Sequence, residues 1–226
     1  MALVGGGAII IWNDIAPEGR ADFYEWHIRE HIPERLSVPG FLRGSRYAAP
    51  TAHTRPEFLT LYETEHAAVA TSAAYLARLN APTDWTRRAT AHFRNTSRAL
   101  TSVVHSEGPG HGGVMGTIRF DDTSGGKSAL ESIAAPVLAA MARLARITGV
   151  HLCTTDHSAS ATRTAESRGR TDILAAPIGA VMIEGCDAAA VQAAMAQLAK
   201  QCALDVQQFQ AGLYTLEHSR MARQSR

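Results

Sequence analysis

Phe23-Tyr24-Glu25-Trp26-His27-Ile28-Arg29-Glu30-His31-Ile32-Pro33-Glu34-Arg35, followed by Val38-Pro39-Gly40-Phe41 and Arg43-Gly44-Ser45-Arg46-Tyr47, gathers histidines, acids, arginines and aromatics as no other part of the chain does. Tyr24, Ile28, Ile32 and Leu36 recur every fourth residue, and this apolar stripe predicts a helix lying on a sheet. Pro17-Glu18 opens that helix, Pro33 kinks or shortens it, and Pro39-Gly40 ends it. His31 borders the stripe, so it is expected to look from the helix toward the sheet.

Working outward, residues 8–13 form an almost continuous apolar run, as in a strand covered on both faces. Residues 41–48 and 58–63 read as the next two strands, with Phe58, Thr60 and Tyr62 on one face and Leu59 and Leu61 on the other. A helix over 67–79 is interrupted at Asn80-Ala81-Pro82-Thr83 and continues over 85–93, and residues 97–105 form a fourth strand. The order is β-α-β-β-α-β. Gly108-Pro109-Gly110-His111-Gly112-Gly113 is a turn-rich linker near the chain midpoint. The order then recurs: strand 114–120, helix 127–147 with Pro136 inside, strands 150–155 and 178–184, helix 188–202 and strand 206–216.

Each half is therefore expected to be a ferredoxin-like unit, residues 1–107 and residues 112–226, in an α+β fold. Such a unit has helices on one sheet face only, so its other face must be covered. Two antiparallel sheets in one chain can cover each other and close one α/β barrel. Residues 158–176, rich in Ser, Thr and Arg, read as a long exposed loop.

Composition narrows the function classes. The formal net charge of +1 gives no electrostatic case for nucleic acid or an anionic membrane. Arginine outnumbers lysine twenty to two, which reads as base composition rather than a binding surface. No apolar run reaches the ~18 residues of a membrane span. Cys153, Cys186 and Cys202 are too widely spaced for a metal or redox motif, and their odd count fits a reducing cytoplasm. The start of the chain reads as a first strand, not a signal peptide. Eleven of the fourteen aromatics and six of the ten histidines precede residue 107, so the first half is expected to carry the site and the second to be its structural partner.

Trp26, Glu30-His31-Ile32-Pro33-Glu34-Arg35, Val38-Pro39-Gly40-Phe41, Arg46-Tyr47, Leu59, Leu61-Tyr62-Glu63 and Pro82-Thr83-Asp84-Trp85-Thr86 together resemble the dimeric α/β-barrel superfamily, and in particular its tandem single-chain members. The resemblance covers residues 20–90 in sequence and the remainder in element order. It implies two sheets packed face to face around a cavity, and in small members a histidine in the position of His31 lines that cavity. Members include cofactor-free isomerases, lactone isomerases, polyketide cyclases, monooxygenases and haem-binding relatives.

His27-Ile28-Arg29-Glu30-His31 also spells H-x-x-E-H, a zinc-protease pattern. Pro33 follows at once and no third-ligand motif is evident, so no metal is expected. Gly125-Gly126-Lys127-Ser128 lacks the upstream glycine of a phosphate loop and reads as a helix start. The catalytic candidates are His31 as general base, with His27 and Tyr47. Trp26, Arg46, Tyr62 and Trp85 are the substrate-binding candidates, Trp85 as a cap on the cavity mouth. Arg46 and Tyr47 have opposite strand parity, so only one of them should face the cavity.

The function these features lead one to expect is a cytoplasmic, cofactor-free acid–base enzyme of isomerase, lyase or cyclase type. Its substrate would be a small apolar or ring-derived acid, ketone or lactone in a catabolic pathway. The alternatives are a non-catalytic binder of an apolar small molecule and a haem-binding protein with histidine as axial ligand. A homodimer through residual apolar helix faces is the expected assembly.

Overall fold

In β1 (Gly7–Ile15) every residue but two is buried, because the strand is covered from both sides. Ala8, Ile10 and Trp12 point into one apolar cluster, while Ile9 and Ile11 pack in another with Ile32 and Leu36 of the overlying helix. The same alternation runs through β2 (Phe41–Ala48), β3 (Phe58–Thr64) and β4 (Phe93–Glu107). The second half adds β5 (Val114–Phe120), β6 (Ile147–Thr155), β7 (Gly179–Gly185) and β8 (Phe209–Met221). These observations come from a computed structural model that describes residues 3–204 and 209–223.

The eight strands close a barrel in the order β1-β3-β2-β8-β5-β7-β6-β4, and every neighbouring pair is antiparallel. The pairs β2–β8 and β4–β6 stitch the halves together, so neither sheet keeps an open edge. Leu59, Leu61, Tyr47, Met115, Met182 and Tyr214 fill the interior. The expected cavity between the two sheets is thus replaced by packed side chains, as in a small barrel whose interior is just wide enough for them.

The helices cover the barrel from outside. In the second half α5 (Ser124–Glu131), α6 (Ala135–Ala142) and α8 (Ala188–Gln201) seat Leu138, Met141, Val191 and Leu198 on the sheet in one apolar cluster. Pro136 lies at the start of α6, so the expected single helix over 127–147 is two. In the first half a 3₁₀ turn at Pro17–Gly19 leads into α1 (Arg20–Trp26), a π-helical turn over His27–His31 and α2 (Ile32–Leu36). There α3 (Ala73–Leu79) and α4 (Asp84–Thr90) start on the hydroxyls of Ser72 and Thr83, which accept from the Tyr75 and Thr86 amides. Residues 206–208 of the expected last strand lie outside the described residues, and the strand runs on past its expected end to Met221.

The two halves share little sequence but one buried device. Glu63 and Glu184 are each the sixth of seven residues in β3 and β7, and each turns into the barrel. Glu63 accepts from Val4 N at 2.8 Å and Arg43 Nε at 2.5 Å. Glu184 accepts from Gly112 N at 2.8 Å and lies 2.7 Å from His111 Nδ1 and 3.1 Å from His151 Nε2. Each glutamate so fastens the segment leading into the first strand of its own repeat. Burial alone would push the Glu184 carboxyl up, but the hydrogen bonds from His111 and His151 outweigh it and hold it at about 2.

Candidate functional site

The π-helical turn decides which side chains reach the sheet. Phe23, Trp26 and His27 share one face at α-helical spacing, and the wider π turn then brings His31 rather than Glu30 onto that face. The buried set becomes Phe23, Trp26, His27, His31, Ile32, Arg35 and Leu36, while Tyr24 and Ile28 are left half-buried. The two histidines therefore sit in the middle of the buried face instead of on its border. Their rings stack 5.6 Å apart at 23°. Phe23 extends this file beyond His27 at 5.2 Å, Tyr62 stands edge-on to His31 at 6.3 Å, and Trp26 lies 4.2 Å from His31.

Both imidazoles are buried with Nδ1 unpaired. Burial lowers the His31 pKa well below its ordinary value; the Arg35 charge lowers it further, and a proton on His31 would also be disfavoured by one on the neighbouring His27. For His27 burial again leads, followed by Arg46, His218 and Arg35. Both are thus neutral at physiological pH. Glu30, the acid of H-x-x-E-H, is turned to the hydroxyls of Thr83 at 2.5 Å and Thr86 at 3.2 Å. No group of three His, Cys, Asp or Glu suited to a metal ion occurs among the described residues.

Beside His31 lies a cavity of about 460 Å³, within the range of small-molecule sites. It sits outside the barrel, between the first-repeat helices and the outer face of their sheet. Trp26, His31, Leu79, Phe93 and the cross-strand pair Ile11 and Arg98 line it from the first repeat. The remaining wall comes from the second repeat: α7 (His157–Ala161) and the segment after it contribute Ser160, Thr164, Glu166, Arg170 and Leu174.

Residues 158–176, expected as a long exposed loop, are mostly without regular structure but run as a strap along the cavity. Its backbone is tied at several points: Ala165 N to Asn80 Oδ1 at 3.0 Å, Glu166 N to Leu79 O at 3.0 Å, and Thr96 N to Asp172 O at 2.9 Å, with Leu174 N to Thr96 O at 2.7 Å. Glu166 also ion-pairs with Arg35, which is 2% exposed and bonded to Glu34 at 2.9 Å. Arg170 is held by Asp172 at 2.7 Å.

Of the residues singled out from sequence, His31 and Trp26 border the cavity. His27 and Tyr62 stand behind His31 and support it. Burial pushes the Tyr62 hydroxyl far up, so it is a phenol, never a phenolate, at any working pH. Tyr47 faces the barrel interior, separated from His31 by the sheet, which corrects its expected partnership with that histidine. Arg46 takes the outer face but packs over Tyr24 at 4.6 Å and pairs with Glu217 at 2.9 Å, away from the cavity lining. Trp85 donates to Asp22 at 2.9 Å and packs behind α1 instead of capping a mouth. Sequence reasoning missed Arg98 and the whole strap. Arg98 had a usable signal, since it has the same strand parity as Leu100, a residue of the helix-facing cluster.

Two ferredoxin-like units in tandem, closed into one antiparallel barrel, give this chain the fold of the dimeric α/β-barrel superfamily in its single-chain form. No family model matches the chain, and no curated protein sequence matches it. Among solved structures it is similar to an anthrone oxidase-like protein, at 12% identity and a TM-score of 0.64 over 99% of this chain and 97% of that one. It is also similar to a protein provisionally named a monooxygenase from Lactobacillus acidophilus, at 12% identity and 0.53 over 96% and 97%. A variant of chlorite dismutase from Candidatus Nitrospira defluvii matches at 8% and 0.52 over 94% and 91%. At such identities the likeness establishes the fold. The names nevertheless belong to oxidative chemistry, and they correct the expectation of an isomerase, lyase or cyclase.

Proposed function

We propose that the cavity binds a flat, ring-fused phenol or ketone and that the protein oxidises it with dioxygen. The observation that carries this reading is His31: a neutral imidazole, buried among Trp26, His27 and Tyr62, bordering a largely apolar cavity of substrate size. Its lowered pKa makes it a modest base. It can take a proton only from an already acidic group, such as a phenol or a methylene flanked by aryl rings and conjugated to a carbonyl. Loss of that proton leaves an electron-rich anion, the form that dioxygen oxidises. The methylene carbon keeps one oxygen atom as a carbonyl, and its two hydrogens leave with the other as water. This balances without a further reductant, and the proton held on His31 departs in that water. Trp26 and Phe93 would flank the ring faces, and the strap would keep bulk water out. In this reading residues 1–107 supply the base and residues 112–226 the outer wall.

Haem binding is the second reading, favoured by the same neutral histidine and by the chlorite dismutase likeness. His31 would be the axial ligand and Arg98 would pair with a propionate; bound iron would supply redox chemistry. An axial histidine ordinarily donates its second ring N–H to a partner, however, and His31 Nδ1 has none. This favours the ring substrate. Cys153, Cys186 and Cys202 are all free thiols, which supports the expected cytoplasmic setting, and no helix among the described residues is long and apolar enough to cross a membrane.

The test uses anthrone as probe. Purified protein should consume one dioxygen per anthraquinone formed, above the uncatalysed rate. His31→Ala should lower kcat by about 10²–10⁴-fold, the contribution of one positioned proton carrier, while the protein stays folded. Unchanged turnover in folded His31→Ala would rule the mechanism out. A sharp Soret band on titration with haemin, lost in His31→Ala, would move the assignment to haem.

A further inference from the structure

The charges around the cavity are unevenly settled. Of the two acids that border it, Asp122 pairs with Lys127 at 2.7 Å and Glu166 pairs with Arg35. Of the three arginines that border it, Arg170 is neutralised by Asp172. Arg98 and Arg163 remain, and among the described residues neither has a carboxylate partner. Arg163 is exposed and solvated, but Arg98 is half-buried on β4, directly across from Ile11. Its neighbour is the hydroxyl of Tyr75, a buried neutral phenol. A phenol occupies one donor of a guanidinium that has five, and satisfies none of its charge. An arginine partly withdrawn from water, bordering an apolar cavity and lacking an anion, is a waiting half of a charge-assisted pair.

We infer that the ligand of this cavity is an acid: a ring-fused aromatic bearing a carboxylate, which Arg98 holds in bidentate fashion while the ring lies against Trp26 and Phe93. The inference rests on the proposed ring-binding site and adds the class of substrate it takes. Planar guanidinium suits a planar carboxylate, and two parallel N–H···O bonds would fix which ring carbon faces His31. Arg163, at the exposed rim, adds long-range attraction rather than contact.

Calorimetric titration with 3-hydroxy-2-naphthoate and with 3-hydroxy-2-naphthamide tests this, since the two differ in charge but hardly in shape. The carboxylate should bind the wild-type protein more tightly by about 10- to 100-fold. Arg98→Gln should abolish that preference while leaving the amide within about twofold, and Arg98→Lys, which keeps charge but not the fork, should fall between. Equal affinity of the wild-type protein for both compounds would overturn the inference and leave the ring-binding site standing. Binding of neither would remove the site and the inference together. A wild-type preference that survives in Arg98→Gln would overturn the assignment to Arg98. Should Arg98→Gln misfold, Arg98→Lys and the salt dependence of the wild-type preference decide, because a preference that does not weaken between 0.05 and 0.5 M salt, taken as roughly a threefold change in screening length, is not an ion pair at this half-buried site.

Discussion

Glu166→Gln should loosen the strap without unfolding the barrel. Arg35 is almost fully buried, and its charge is met by two carboxylates, Glu34 at 2.9 Å and Glu166 from the strap, with the Tyr75 ring 5.8 Å away. Removing one partner of a buried pair costs about 3–5 kcal/mol when the other charge is left alone. Arg35 keeps Glu34, and glutamine still accepts one hydrogen bond, so about 1–2 kcal/mol is the reasonable share. In a chain of 226 residues that corresponds to a fall in Tm of about 2–8 °C, if the loss is felt globally. The strap, however, is joined to the first repeat by hydrogen bonds at Asn80, Leu79 and Thr96 rather than by a large apolar face. Local opening should therefore precede global unfolding. Hydrogen exchange followed by mass spectrometry is the assay: amides of residues 160–175 should exchange about 5- to 30-fold faster in Glu166→Gln, a factor equivalent to 1–2 kcal/mol, while those of β1 and β3 keep their rates. Equal protection in the two proteins would refute the latch, and a uniform increase over the whole chain would show that Glu166 supports the fold and not the strap.

The pH dependence of stability follows from His27 and His31. Both are held neutral, with folded pKa values well below 6.5, so the unfolded chain binds more protons once the pH falls below about 6.5. Their contribution is complete above that pH and is lost as the pH falls toward the folded values, at up to about 1.4 kcal/mol per pH unit for each histidine. Urea midpoints between pH 8 and pH 5.5 should drop, and the drop should be shallower in His27→Ala; a flat profile would contradict the burial of neutral rings. Catalysis, if His31 is the base, should lose its acid limb below pH 6.5 rather than at it. Tyr47→Phe should change stability by less than about 1 kcal/mol, because its hydroxyl is buried without a partner, and should leave ligand affinity unchanged, because the sheet separates it from the cavity. A large loss of binding in Tyr47→Phe would mean the cavity communicates with the barrel interior.

What the sequence determined was the arrangement of elements. The apolar start of β1 identifies a strand because one buried on both faces reads as a near-continuous hydrophobic run, and Phe58–Thr64 identifies another by its alternating faces of aromatic and leucine side chains. The recurrence of β-α-β-β-α-β about a glycine-rich midpoint pointed to paired ferredoxin-like units, since helices on one face oblige the other face to find a cover. His31 and Trp26 were legible as neighbours of a cavity from their place on the helix that lies on the sheet. What only tertiary structure decided was the side of the sheet on which the cavity lies. Barrel radius and side-chain volume settle that question, and Tyr47, Leu59, Met115 and Tyr214 leave no room inside. The π-helical turn was likewise hidden, because one extra residue in a turn changes no residue type and yet rotates His31 onto the buried face that Phe23, Trp26 and His27 begin. The strap was invisible for another reason. A polar run of Ser, Thr and Arg reads as solvated loop until hydrogen bonds to Asn80 and from Thr96 and Arg35, more than sixty residues away in sequence, fasten it over the cavity.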